Sequence, residues 1–254
     1  MKKIQNTQKD LKVTSQGRIN KFSNIMERTV KLNDETREIL KNFSTINANL
    51  VVKPGSTIST MAETKTCLAT ATVAESFNNE FGLYDLNEFL SAMSMFDDPE
   101  LDFADDNFSV SIKQGSRSVK YFLSDTTTLT SPSKPVVMPS TEVQFTLSAD
   151  EIASIRKASS ALGASDMIIS NGTSGVKITV TNSNDNTSNQ YNVEVEASQV
   201  PSENFRLILS IPNLKIIPGD YVITLSSKLI SHFKHTTRPV EYWIAVEKNS
   251  TYGG

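Results

Sequence analysis

The sequence predicts an α+β protein of two similar domains, each carrying helices on one face of antiparallel sheets. Two observations lead there. A helix followed by a series of short strands occurs twice, in units of about 110 residues. A proline-bearing polar stretch separates the two units.

In the first unit Asn33 opens a helix with Asp34 and Glu35 in its first turn, where the helix dipole favours acids. Ile39, Leu40 and Phe43 form its inward face, and strands follow at 50–53, 57–61 and 67–73. Asp85 is the N-cap of a second helix, 85–95, in which Leu86, Phe89, Leu90 and Met93 recur at i, i+3, i+4 and i+7. Asp97-Asp98-Pro99 stops that helix, because the residue before a proline is pushed out of the α region. Strands at 101–103, 108–113 and 118–123 complete the unit.

The second unit opens with Phe145-Thr146-Leu147 and a capping box, Ser148-x-x-Glu151. Ile152, Ile155, Ser159 and Leu162 then keep helical period. Strands are expected at 167–170, 175–181, 190–196 and 205–210, then a short turn around 211–217. Strands at 221–226 and 240–246 and a polar tail close the chain. Between the units, Pro132, Pro135 and Pro139 in a Ser/Thr-rich run favour an extended, semi-rigid connector. The expected division is a basic extension at 1–29, domain 1 at 30–125, the connector at 126–142 and domain 2 at 143–254.

Composition is that of an ordinary globular protein, with 21% charged and 38% hydrophobic residues. No run approaches the roughly 18 apolar residues of a membrane helix. Met1-Lys2-Lys3 leads into polar residues rather than the apolar core of a secretory signal. Cys67 is alone, which excludes an internal disulfide, fits a reducing cytoplasm and reads as a small buried strand residue. The net charge of −3 is unevenly spread: residues 1–29 hold seven basic and two acidic residues, leaving 18 basic and 26 acidic in the rest. An acidic body argues against nucleic acid unless the few cations share one surface.

Enzyme chemistry has little support. His232 and His235 flank Phe233-Lys234 without a Cys/His/Asp set, and the better reading is a solvated loop. The carboxylates of 97–106 lack the order of a calcium loop. Phosphate-loop, dinucleotide and nucleophile-elbow motifs are missing, and no cofactor or metal is implied. Trp243 falls in an expected strand and reads as core.

Two segments carry a family resemblance. The stretch from Leu83 through Tyr84-Asp85-Leu86-Asn87-Glu88-Phe89-Leu90 to Asp102-Phe103 closely resembles the DNA polymerase sliding clamps of T-even-type tailed phages. Lys31-Leu32-Asn33-Asp34-Glu35-Thr36-Arg37 through Ile46-Asn47 resembles the opening of the same clamps. The resemblance runs from about Val30 to Gly254, clearest in the first half, so Val30 is expected to be a GTG-encoded start and residues 1–29 an untranslated stretch; the alternatives are a basic, disordered extension and a DNA-tethering arm.

The resemblance implies two clamp-type domains per chain and three chains closed head-to-tail into a ring around duplex DNA. It further implies partners: the replicative polymerase, a clamp loader and the late-transcription machinery of an infected cell. Arg37 and Lys41 share the outer face of the first helix, opposite Ile39 and Phe43, while Lys157 and the flanking Arg156 stand on the third. By pattern alone these are solvated helix faces; by resemblance they line the central hole, with Lys215 and Lys31 as weaker candidates. The resemblance also implies a cleft for partner peptides beside the connector, for which Val136, Val137, Met138, Ile217, Pro218 and Tyr252 are the candidates. The rival reading is a β-rich virion subunit, which the Ser/Thr-rich stretches 126–133 and 181–188 would fit. A freestanding DNA-binding protein is a further option.

Overall fold

The computed structural model describes residues 28–253. Domain 1 opens with β1 (Thr29–Val30) and α1 (Asp34–Ile46), then runs through β2 (Leu50–Val52), β3 (Gly55–Met61), β4 (Cys67–Phe77) and β5 (Phe81–Leu83). After α2 (Leu86–Met93) come β6 (Glu100–Phe103), β7 (Ser109–Gln114) and β8 (Arg117–Phe122). Domain 2 repeats the order with β9 (Val143–Leu147), α3 (Ala149–Leu162), β10 (Asp166–Asn171), β11 (Gly175–Thr181), β12 (Tyr191–Gln199) and β13 (Phe205–Ser210). A 3-10 turn, Ile211–Asn213, stands where domain 1 has α2, with Pro212 in its first turn. β14 (Tyr221–Ser226), β15 (Ile230–His235), β16 (Val240–Ala245) and β17 (Thr251–Tyr252) follow.

Local chemistry explains the helices. The Asn33 side chain accepts from the Thr36 N–H at 2.7 Å, and the Asp85 carboxylate accepts from Asn87 and Glu88 N–H at 2.9 and 3.1 Å. Ser148 and Glu151 form the expected capping box, and Gly163, with φ +61°, ends α3 in the left-handed region. Each helix lays its apolar residues on a sheet: Ile39, Leu40 and Phe43 of α1, Leu86, Phe89 and Met93 of α2, Ile152 and Ile155 of α3 are all buried.

The ladders repeat as well. Domain 1 contains β1-β6-β7-β8 and β4-β3-β2-β5; domain 2 contains β9-β14-β15-β16 and β12-β11-β10-β13, with β17 added outside β13. The domains are joined edge to edge: β16 pairs antiparallel with β4, from Val240 opposite Ala71 to Ile244 opposite Cys67. β9 bridges to β12 at Ala197 and Gln199, so thirteen strands form one continuous sheet. The connector begins with a 3-10 turn, Thr126–Thr128, and then runs without helix or strand to β9.

Several sequence expectations change. Thr29 pairs with Asp102, and Arg28 donates from Nε to the Phe103 carbonyl at 2.9 Å, so the folded body includes two residues assigned to the extension. Residues 1–27 and the expectations about them lie outside the described residues. His232 and His235 are not in a solvated loop but in β15. They sit three apart on a strand and therefore face opposite sides, so they cannot share a metal. His235 is buried and accepts at Nδ1 from the Thr237 and Arg238 N–H groups, both at 3.2 Å. Trp243 is in its strand but on the outer face, half-buried and stacked on His232 with centroids 4.8 Å apart. Cys67 is buried, and desolvation pushes its thiol up to about 12, against a smaller lowering by Lys215.

Candidate nucleic-acid and partner surfaces

The helices of both domains meet on one side of the sheet. Asn42 of α1 donates from Nδ2 to the Lys215 carbonyl at 3.0 Å. Arg156 of α3 donates from Nη2 to the carbonyls of Leu214 and Ile216, at 2.7 and 3.2 Å. Segment 211–218 therefore lies between α1 and α3, and the three elements form one surface across the domain seam. Tyr242 fixes the seam from below: its hydroxyl donates to Asn42 Oδ1 at 2.8 Å and accepts from the Ile217 N–H at 3.3 Å. At its rim Arg238, preceding β16, pairs with Glu35 and Glu38 of α1 at 3.2 and 3.0 Å.

The basic candidates share this face but not one condition. Lys41 and Lys157 are exposed and make no ion pair among the described residues. Lys215 is half-exposed beside them. Arg37 is 26% exposed, lies 3.7 Å from Asp34 and donates to the Asp97 carbonyl at 3.5 Å. Arg156 is committed to holding segment 211–218, which withdraws part of its donor set. Lys31 pairs with Asp98. Between α1 and α2 lies a cleft of about 440 Å³ with Leu90, Met93 and Phe96 as its floor and Arg37 and Lys41 at its rim.

The cleft residues proposed from sequence are not brought together. Val136 lines a cleft of about 390 Å³ between the connector and the outer face of β2, β3 and β4, with Val51, Lys53, Thr57 and Leu68 opposite it. Val137 stands 80% exposed at the connector's crest and Met138 is half-buried beyond it. Ile217 is 3% exposed and belongs to the core on the helix side, so it is withdrawn as a cleft residue. Pro218 sits next to it, its carbonyl 3.3 Å from His235 Nε2, on the opposite side of the sheet from the connector. Tyr252 is in β17, paired with Phe205 at the sheet's far edge. Proline and apolar composition marked these residues, but face and edge are tertiary properties. The residues missed, Val51, Leu68 and Lys53, read locally as ordinary strand residues; their alternation against the connector was the available signal.

Comparison with known proteins agrees with this geometry. Residues 33–130 match the family described as DNA polymerase processivity factor, and residues 144–248 match the C-terminal domain of the gp45 sliding clamp. The sliding clamp of Vibrio phage KVP40 is 31% identical over 224 residues, 86% of this chain and 99% of that protein. The sliding clamp of Escherichia phage RB69 is 29% identical over 88% of this chain and 99% of its own length. Among solved structures, proliferating cellular nuclear antigen from Entamoeba histolytica superposes with a TM-score of 0.63 at 15% identity, over 86% of this chain and 98% of that one. The A. fulgidus antigen bound to the C-terminal region of FEN-1 gives 0.65 at 15% identity, over 88% and 99%. These last two share the fold. Two domain matches and a relative above 30% identity along nearly its whole length leave one assignment: the chain belongs to the sliding clamps of T-even-type phages, non-enzymatic DNA polymerase processivity factors.

Proposed function

We propose that three copies close head-to-tail into a ring around duplex DNA and tether the replicative polymerase through the connector cleft. The observation that carries the ring is the internal repeat. Within the chain, β16, the end strand of domain 2's β9-β14-β15-β16 ladder, pairs with β4 of domain 1. The corresponding strands of the other polarity, β8 and β12, are left over: β8 ends its sheet, and residues 191–195 of β12 have β11 on one side and no strand on the other among the described residues. Joining β8 of one copy to β12 of the next repeats the in-chain seam and removes both open edges.

The ring turns the shared helix face inward. Lys41, Lys157 and Lys215, with Arg37 and Arg156 behind them, then face phosphates without reading bases. Few, mobile contacts in an otherwise acidic protein let the ring slide, and topology rather than affinity keeps it on DNA. The partner site is the connector cleft, where Val136, Val51 and Leu68 offer an apolar floor to a short peptide of the polymerase or of a clamp loader. Val137 and Met138 adjoin it, and Tyr252 is retained as an outlying candidate; Pro218 belongs with the helix face. A role in late transcription through the same cleft, in the cytoplasm of an infected cell, completes the reading. The family matches favour it over the virion subunit.

The test is the double variant Lys41→Glu with Lys157→Glu in primer extension with polymerase and loader. The expected outcome is much shorter product per binding event, with assembly unchanged by native mass spectrometry. Full-length processivity in that variant removes the lining assignment. A wild-type chain that never reaches three chain masses, about 84 kDa for a 28.0 kDa chain, removes the ring.

A further inference from the structure

Resting on the ring reading, the repeat also gives the seam between copies a register and an ionic anchor. Val30 and Phe145 each lie three residues before an N-cap, Asn33 or Ser148. Following the ladder from Val30 leads to Leu101, Ile112 and Val119; following it from Phe145 leads to Ile223, Phe233 and Tyr242. Val119 is thus the counterpart of Tyr242, and Ser118 of Glu241. On the other edge Leu83, Leu50, Val52, Ile58 and Ala71 run parallel to Leu209, Met167, Ile169, Ile178 and Val193. Ala69 therefore corresponds to Tyr191, and Thr70 to Asn192.

In the chain, Glu241 is opposite Thr70 and Tyr242 opposite Ala69. We infer that a second copy docks its β12 on β8 with Ser118 opposite Asn192 and Val119 opposite Tyr191, anchored by Arg117 against Asp150. Arg117 opens β8 on the same side as Val119, one side-chain repeat nearer the strand's middle than Arg238 stands before β16, and Asp150 is the second residue of α3 as Glu35 is of α1. Arg117 and Asp150 are exposed, and neither has an ion pair among the described residues. Arg117 lies over the Phe96 ring, 5.6 Å from its centroid, on the helix side of the sheet where Asp150 also stands.

The same correspondence makes this seam the weaker of the two kinds. Glu38, the second anion that meets Arg238, corresponds to Ala153. The buried Tyr242–Asn42 hydrogen bond corresponds to Val119 and Lys157, which cannot form one.

Ser118→Cys with Asn192→Cys tests the register, since directly opposed strand residues bring Cβ atoms about 4.5–5.5 Å apart while diagonal ones are about 7–8 Å apart. Mild oxidation should give covalent trimers, at least tenfold faster than Ser118→Cys with Gln190→Cys. The buried Cys67 stays out of the reaction. Arg117→Glu should weaken assembly at least tenfold, and adding Asp150→Lys should restore most of it. Wild-type trimers that cross-link equally well or better through Gln190 overturn the register, and trimers indifferent to Arg117→Glu overturn the anchor; both leave the ring standing. A double-charge variant as weak as Arg117→Glu, with native circular dichroism, also overturns the anchor. A monomeric wild type at micromolar concentration overturns the ring and this inference together.

Discussion

Tyr242→Phe removes one oxygen atom from the centre of the molecule and should loosen one domain from the other. The ring of Tyr242 is fully buried, and its hydroxyl bonds to both α1 and segment 211–218. Phenylalanine keeps the ring's packing against Tyr221, whose centroid is 6.2 Å away. What is lost is the bond to Asn42 Oδ1, worth about 1 kcal/mol, and a partner for the buried Ile217 N–H, whose desolvation costs a further 1–2 kcal/mol or so. The expected loss is therefore about 2–3 kcal/mol, or roughly 4–12 °C in Tm for a domain pair of this size. Urea titration followed by far-UV circular dichroism and by the fluorescence of Trp243, the chain's single tryptophan, reads it directly. Protein concentration must be held fixed, because assembly contributes to apparent stability. The two probes should also separate, with the domains no longer unfolding as one. A loss below about 0.5 kcal/mol with coincident transitions refutes the view that this hydroxyl ties the seam.

Three further predictions are more local. In Gly82→Ala the new Cβ would stand 2.6 Å from the Ser124 carbonyl oxygen and 2.7 Å from Leu129 Cδ1, so the root of the connector must move. The expected cost is about 1–3 kcal/mol, with faster amide exchange across 124–130; unchanged exchange refutes it. At Glu142, burial would raise the carboxyl, but the Ser227 N–H and the hydroxyls of Ser140 and Ser227 outweigh it and hold the pKa below the ordinary value. A depressed carboxylate stabilises the fold above its unfolded pKa of about 4.3, and that contribution disappears as pH falls through the lower folded value. Glu142→Gln should therefore flatten the acid limb of the stability curve below that point and not above it. Cys67, buried and with its thiol pushed up to about 12, should resist iodoacetamide at pH 8 in the native protein and react fully in urea; rapid native labelling refutes its burial.

The comparison of sequence with structure divides along the range of the forces involved. α1, α2 and α3 were legible because their signals are local. Asn33, Asp85 and Ser148 cap within three residues, and apolar side chains recur at helical spacing. The strongly alternating strands were legible for the same reason, as β4 and β11 illustrate. β15 was not. Its inward residues are Ser231, Phe233 and His235, and two of these are polar groups whose burial depends on partners outside the strand, such as the Ile244 carbonyl that accepts from Ser231 Oγ at 2.7 Å. β1, β5 and β17 are two or three residues long and exist because a neighbouring strand supplies the hydrogen bonds.

By itself, then, the sequence determined the α+β class, the twofold repeat, the helix faces carrying Lys41 and Lys157, and a family resemblance. Each of these is set by residues within a few positions of one another. The tertiary structure alone decided what lies side by side. It placed α1, segment 211–218 and α3 on one surface, took Ile217 into the core and Tyr252 to the far edge, and set Val136 against Val51 and Leu68. It also left β8 and β12 as the unmatched pair. Edges and faces arise when sheets close on one another, and their register depends on pairings between residues distant in the chain, such as Ile244 with Cys67, for which no local periodicity exists.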